Sequence, residues 1–136
     1  MGSASEHTLR QVLYKLDGAG VWDNPDVLQV LAEASSLGAV TSVYTVPAGK
    51  VAYLTTLVID GRNKDANDQA ANAEIWDEVE NVPIYWSLTL PTGTRDILAL
   101  SFPVPVKLAA GWQVVVWSSD PDNRAMVSIT GYELPE

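Results

Sequence analysis

Acidic side chains are the most numerous candidates for chemistry in this sequence. Glu74, Asp77, Glu78 and Glu80 lie close together, and two carboxylates held about 5–10 Å apart can hydrolyse a glycoside by acid–base catalysis. A strand predicted over residues 73–79 would point Glu74, Glu78 and Glu80 to one face. A solvated outer sheet face explains this pattern without catalysis, so we expect no catalytic residues here.

Oxygen ligands recur in two loops, residues 60–68 and 120–123, where Asp and Asn are frequent. Calcium ions take six to eight such oxygens. Arg62 and Lys64 interrupt the first loop, the glycine and closing glutamate of an EF-hand are missing, and Asp and Asn also favour turns for their own reasons. We therefore predict no metal site and no bound cofactor.

Nucleophilic chemistry has few candidates. The chain has no cysteine and a single histidine, His7, close to its N-terminus. A disulfide, a thiolate–metal site and a cysteine nucleophile are thus excluded, and a Ser-His-Asp triad would have to recruit His7. No phosphate-binding loop, dinucleotide fingerprint or zinc-protease motif occurs. The sequence predicts a protein that is not an enzyme.

Length and charge limit the partners. A chain of 136 residues, 47% of them hydrophobic, suggests one domain with an ordinary core. The formal net charge of −9 repels phosphate backbones and anionic lipids, so we expect neither nucleic acid nor a membrane surface as a partner. No apolar run approaches the roughly 20 residues of a membrane helix.

The sequence pattern changes near residue 40, from helical apolar spacing to strand-like runs. Residues 1–40 have helical apolar spacing in two stretches, at Leu9, Val12, Leu13 and Leu16, and at Val27, Val30, Leu31 and Ala34. Gly38 can end the second helix. We predict a helical N-terminal segment over residues 1–40. It would be either a lid on the remaining domain or an arm that docks on a neighbouring subunit.

Residues 41–136 alternate between strand-like runs and turns. Seven strands are predicted, over residues 41–46, 50–60, 73–79, 84–90, 97–102, 112–118 and 125–133. Strands at intervals of roughly 8–12 residues, with no long helix between them, favour an antiparallel sandwich or barrel. The fold is predicted to be mainly β, with this domain following the helical segment.

Aromatic residues on the predicted strands are the candidates for a binding surface. They are Trp76, Tyr85, Trp86, Trp112 and Trp117. Tyr85 and Trp86 point to opposite faces of a strand, and both faces of one sheet cannot lie in a two-layer core. We expect a subunit interface, because interfaces favour Tyr and Trp. A sugar-stacking platform and burial beneath the N-terminal helices are the alternatives.

Three motifs in the β region form a family pattern. They are P-A-G-K at residues 47–50, F-x-x-P-V-x-L-x-x-G at residues 102–111 and I-x-G-Y-E at residues 129–133. Over residues 41–134 the chain resembles the small jelly-roll virion proteins of tailed bacteriophages, of the head decoration (capsid-auxiliary) or head-fibre type. This resemblance implies an antiparallel β-sandwich of jelly-roll type and a homotrimer on a capsid lattice.

The resemblance also implies a function. We expect a structural virion protein, a capsid decoration protein that binds the outer capsid surface as a homo-oligomer. Its partners would be copies of itself and the major capsid protein or another virion protein. It would be found on the virion after assembly in the host cytoplasm. The alternative is a carbohydrate-binding or receptor-binding jelly-roll module of a tail or fibre.

Overall fold

A computed structural model describes residues 28–136, with side chains from Ala32 onward. These residues form eight strands and no helix. The strands are β1 Leu28–Leu37, β2 Thr41–Thr45, β3 Lys50–Asn63, β4 Gln69–Trp76, β5 Ile84–Leu90, β6 Arg95–Leu108, β7 Gln113–Ser118 and β8 Asn123–Pro135. The part of the chain described here thus contains no helix long and apolar enough to span a membrane.

The strands form two four-stranded sheets, in the orders β1-β8-β3-β6 and β2-β7-β4-β5. Every neighbouring pair is antiparallel. The predicted antiparallel β-sandwich is therefore confirmed. Strands β1 and β6 are the edges of the first sheet, and β2 and β5 are the edges of the second.

The core lies between the two sheets and follows the two-residue period of the strands. In β3, Leu57 and Ile59 are fully buried, and they are cross-strand partners of Ile129 and Val127 in β8. The second sheet contributes alternate residues from β4 and β7, namely Ala71, Ala73, Ile75, Val114 and Val116. Burial of these aliphatic side chains is the main favourable term that holds the sheets together.

The second predicted helix is wrong, because Leu28–Leu37 forms strand β1 and pairs with β8 along its whole length. Ala32 and Ala34 point inward against the core, while Glu33 is exposed. Small inward residues give little strand signal, and alanine favours helices, so the local pattern misleads. The first predicted helix and His7 lie outside the described residues.

Two Ala-Gly turns, at residues 48–49 and 110–111, meet at one end of the sandwich. Gly49 and Gly111 have φ values of 77° and 83°, a region that glycine occupies without strain. The amide of Val46 donates to the Trp112 carbonyl at 2.8 Å, and the amide of Gly111 donates to the Val46 carbonyl at 3.0 Å. The two Ala-Gly turns therefore brace each other.

Strand β4 differs from its prediction. It covers Gln69–Trp76 rather than residues 73–79, so Glu78 and Glu80 belong to the following loop. Asp77 organises that loop, because its Oδ1 accepts hydrogen bonds from the amides of Val79 and Asn81, both at 2.9 Å. The single strand face expected for Glu74, Glu78 and Glu80 does not exist.

Candidate functional site

The five candidate aromatic residues do not form one cluster. Tyr85 and Trp86 lie on the edge strand β5, Trp76 is the last residue of β4 and Trp117 lies in β7, whereas Trp112 precedes β7. All four tryptophans are half-buried, and only Tyr85 is exposed. The structure thus distributes them over three places: edge strand β5, strands β4 and β7, and the end of the core before β7.

Trp86 and Tyr85 point to opposite sides of β5. Trp86 packs against the core, and its ring lies 5.7 Å from that of Phe102 in β6, measured between centroids. The Tyr85 side chain is 67% exposed. Since the Trp86–Phe102 contact joins the edge strands of the two sheets, β5 and β6 border the same side of the sandwich.

Trp76 and Trp117 share the outer face of the second sheet. They alternate with the inward residues Ile75 and Val116, and Trp117 is the cross-strand partner of Asn72. The Nε1 of Trp76 donates to Glu74 Oε1 at 3.0 Å. This face is therefore polar and aromatic at once.

Asn72 occupies a special position on that face. It is only 6% exposed, and its Nδ2 has no hydrogen-bond partner among residues 28–136. A buried amide without a partner is unfavourable by about 1–3 kcal/mol. The donor is thus available to a ligand or chain that covers this face.

Trp112 lies at a third location, at the end of the core beside the two Ala-Gly turns. Its ring packs against the core cluster, and its Nε1 donates to Glu78 Oε2 at 2.7 Å. Glu74 and Glu78, which the sequence presented as candidate acids, each accept a hydrogen bond from a tryptophan. These two hydrogen bonds hold the indole rings of Trp76 and Trp112 in position.

The side of the sandwich bordered by β5 and β6, called here the β5–β6 side, is incompletely covered. The residues that face inward on β3 are fully buried, but those on β5 and β6 are mostly half-buried. Four large apolar side chains on these strands are exposed: Ile84 at 38%, Tyr85 at 67%, Ile97 at 54% and Val104 at 81%. Tyr85 lies on the outer face of the second sheet, across from Glu74, and Ile97 lies on the outer face of the first sheet, across from Asp60. Exposed apolar surface of this kind marks an interaction site.

The β5–β6 side also carries few charges, which lie at the two ends of β6. Residues 84–94 and 97–106 contain no Asp, Glu, Lys, Arg or His, although 18% of the chain is charged. Of the two residues between these runs, Arg95 is paired with Asp60 at 2.7 Å. These two uncharged runs indicate the β5–β6 side in the sequence. The positions of the aromatic residues alone do not indicate it.

Two prolines limit the contacts that the edge strand β6 can make with another chain. The pairing of β6 with β3 is irregular between Leu54 and Thr56, opposite the segment that contains Pro103 and Pro105. Proline has no amide hydrogen, and prolines on edge strands prevent a further strand from adding to the sheet. Contacts on this side would therefore be made mainly through side chains.

The two loops that carry oxygen ligands do come together. One carboxylate oxygen from each of Asp65, Asp120 and Asp122 lies within 4.8 Å of the others. Hydrogen bonds within the loops organise these groups, and the bond from Gln69 holds the pKa of Asp65 below its ordinary value. Hard cations such as Ca²⁺ prefer such oxygens, but the bonds already present account for the geometry.

Comparisons with known proteins give no relative. No protein-family model matches the chain, and no curated protein matches it either. The function must therefore be argued from the surfaces described above.

Proposed function

We propose that this chain is a structural virion protein, a capsid decoration protein of jelly-roll type that binds the outer capsid surface and associates with copies of itself. The fold supports this proposal, because two four-stranded antiparallel sheets with non-sequential strand order are what a jelly roll requires. The resemblance of the three motifs to phage virion proteins points the same way. The protein would join the virion after assembly in the host cytoplasm.

The observation that carries the proposal is the apolar β5–β6 side, which carries few charges. A second copy of this chain brings the same net charge of −9, so copies repel each other wherever their acidic surfaces face. Residues 84–94 and 97–106 add no such repulsion. Contact along the edges of β5 and β6, where Val104 is the most exposed side chain, would remove apolar surface from water, the usual source of association energy. A homotrimer is the expected assembly.

The test of self-association uses two exposed valines. Val104 on β6 is 81% exposed, and Val40 in the turn between β1 and β2 is 52% exposed. A new carboxylate desolvated in an interface is strongly unfavourable, so we expect Val104→Asp to weaken association about tenfold or more. Val40→Asp adds the same charge beside the opposite edge strands of the two sheets and should leave association unchanged. Multi-angle light scattering during gel filtration measures both.

Capsid binding is tested separately by co-sedimentation of the wild-type protein with purified capsid shells. We expect saturable binding to the shell exterior. A protein that stays monomeric at micromolar concentration and does not sediment with shells would contradict the proposal. Equal weakening of self-association by Val40→Asp and Val104→Asp would show that the β5–β6 side is not the surface involved.

A second candidate function is recognition of a carbohydrate, by a carbohydrate-binding or receptor-binding module of a tail or fibre. The outer face of the second sheet favours it, because Trp117 lies directly across from Asn72, whose amide has no hydrogen-bond partner among residues 28–136, and Trp76 lies further along β4 on the same face. A glycan array tests this function, with Trp117→Ala expected to abolish binding and Val104→Ala to preserve it. No glycan bound by the wild-type protein would exclude it.

A further inference from the structure

Three arginines lie side by side on the outer face of the first sheet. Arg62 of β3 is the direct cross-strand partner of Arg95 in β6 and of Arg124 in β8. All three are exposed, and the chain has only eight Lys and Arg in total. Directly opposed like charges destabilise an antiparallel pair. This arginine row is therefore unfavourable unless a negative charge meets it.

One acid partly compensates the row. Arg95 donates through Nε and Nη2 to the two carboxylate oxygens of Asp60, at 3.1 and 2.7 Å. Arg124 contacts the Met126 sulfur at 3.7 Å. Arg62, at the centre, makes no side-chain hydrogen bond or ion pair with residues 28–136. Three guanidinium groups and one carboxylate leave a local charge of about two positive units.

These side chains also form a concave site. Asp60, Arg62, Arg95, Arg124 and Met126 line one shallow pocket. Because Asp60 fixes the guanidinium of Arg95 with two hydrogen bonds, part of the site is held in position before any ligand arrives. Guanidinium groups present several donors in a rigid plane, which suits oxyanions.

We propose that the arginine row binds a tetrahedral oxyanion with two negative charges, which is the chemistry of phosphate and of phosphate monoesters. Such an anion neutralises the local charge and offers enough oxygens for donors arriving from three strands. A single carboxylate would leave one positive charge unmatched. A nucleic-acid backbone carries one charge per phosphate and is repelled by the net charge of −9. This site is independent of the proposed virion role.

The experiment titrates the full-length protein with inorganic phosphate, glucose 6-phosphate and acetate by isothermal calorimetry at constant ionic strength, because salt screens exposed charges. Arg62→Gln and Arg124→Gln each remove one charge from the row. Lys107→Gln is the matched control, since Lys107 is exposed on β6 and its loss changes the net charge equally. We expect saturable phosphate binding that each arginine variant weakens about tenfold and that Lys107→Gln preserves.

Folding is checked by urea unfolding in phosphate-free chloride buffer. Arg62→Gln should be at least as stable as the wild type there, because it removes repulsion, so lost binding cannot be attributed to unfolding. Tighter binding of glucose 6-phosphate than of inorganic phosphate would assign the site to monoesters, and the reverse to the free ion; both support the proposal. Acetate bound as tightly as phosphate, unchanged binding by Arg62→Gln, or no saturable binding by the wild type would overturn it.

Discussion

The contact between β3 and β8 at Gly131 leaves no room for a side chain. A Cβ added at Gly131 would lie 2.1 Å from the Tyr53 carbonyl oxygen, 3.0 Å from the Tyr53 carbonyl carbon and 3.1 Å from the Leu54 Cα. All three are backbone atoms of the neighbouring central strand. The register between the strands shifts between Leu54 and Thr56, so the close approach accompanies a bulge. We expect Gly131→Ala to destabilise the fold strongly.

The size of the effect follows from the atoms involved. Since backbone atoms cannot rotate away, the strands must separate locally. Overpacking of this kind typically costs about 1–3 kcal/mol, and a weakened ladder hydrogen bond adds about 1 kcal/mol. The lower entropy of the unfolded alanine chain recovers about 0.4–1 kcal/mol. Because a 2.1 Å approach to a backbone oxygen is at the severe end of the overpacking range, the net loss in the free energy of unfolding is about 3 kcal/mol, which lowers the urea midpoint by about 1–3 M.

Gly49→Ala is the control for this measurement. Nothing lies within 4 Å of a Cβ at Gly49, and only its φ of 77° opposes a side chain, at a cost of about 1–2 kcal/mol. Urea unfolding followed by tryptophan fluorescence compares both variants with the wild type. If Gly131→Ala and Gly49→Ala unfold at the same urea concentration, the close approach of β8 to β3 is not as described.

Three further substitutions test polar contacts by urea unfolding. Arg95 beside Asp60 holds the pKa of that carboxyl below its ordinary value of 3.8; this stabilisation exists above about pH 4 and is lost as pH falls through the lower folded-state pKa. Asp60→Asn should therefore be less stable than the wild type at pH 7, and the difference should shrink as pH falls through the folded-state pKa of Asp60. Tyr44→Phe removes a 2.8 Å hydrogen bond to Glu133 and should cost about 1 kcal/mol. Asn63 is only 1% exposed and donates to two backbone carbonyls, so Asn63→Ala should lower the free energy of unfolding by about 3 kcal/mol. A Tyr44→Phe or Asn63→Ala variant as stable as the wild type would contradict the hydrogen bonds described for that residue.

The strands predicted best from the sequence are those with a turn-forming residue such as proline just before and just after them. β5 covers Ile84–Leu90 as predicted, because Pro83 and Pro91 bound an alternating apolar run. β3 was also located, but it extends to Asn63, beyond the predicted end at residue 60. Its polar end is held by pairing with Asn123 in β8 and by the buried Asn63 side chain. Such long-range contacts leave no trace in local sequence.

Strand β1 shows why the second predicted helix was wrong. Its inward positions Ala32, Ala34 and Ser36 face Ile129, Val127 and Ala125 of β8, so the large residues that fill this part of the core come from the partner strand. Small inward side chains over residues 32–36 give weak alternation. Local propensity then favoured a helix, and the pairing that decides the structure lies about a hundred positions away.

The aromatic residues show where the alternation of side chains along a strand is a reliable guide. Alternation correctly places Tyr85 and Trp86 on opposite faces, because both lie inside β5. A regular strand over residues 112–118 would likewise put Trp112 and Trp117 on opposite faces, but Trp112 lies outside β7 and packs on the end of the core beside Val46. Parity holds only within an unbroken strand. The surface that a partner could cover is therefore better indicated by the uncharged residues 84–94 and 97–106 than by the positions of the aromatic rings.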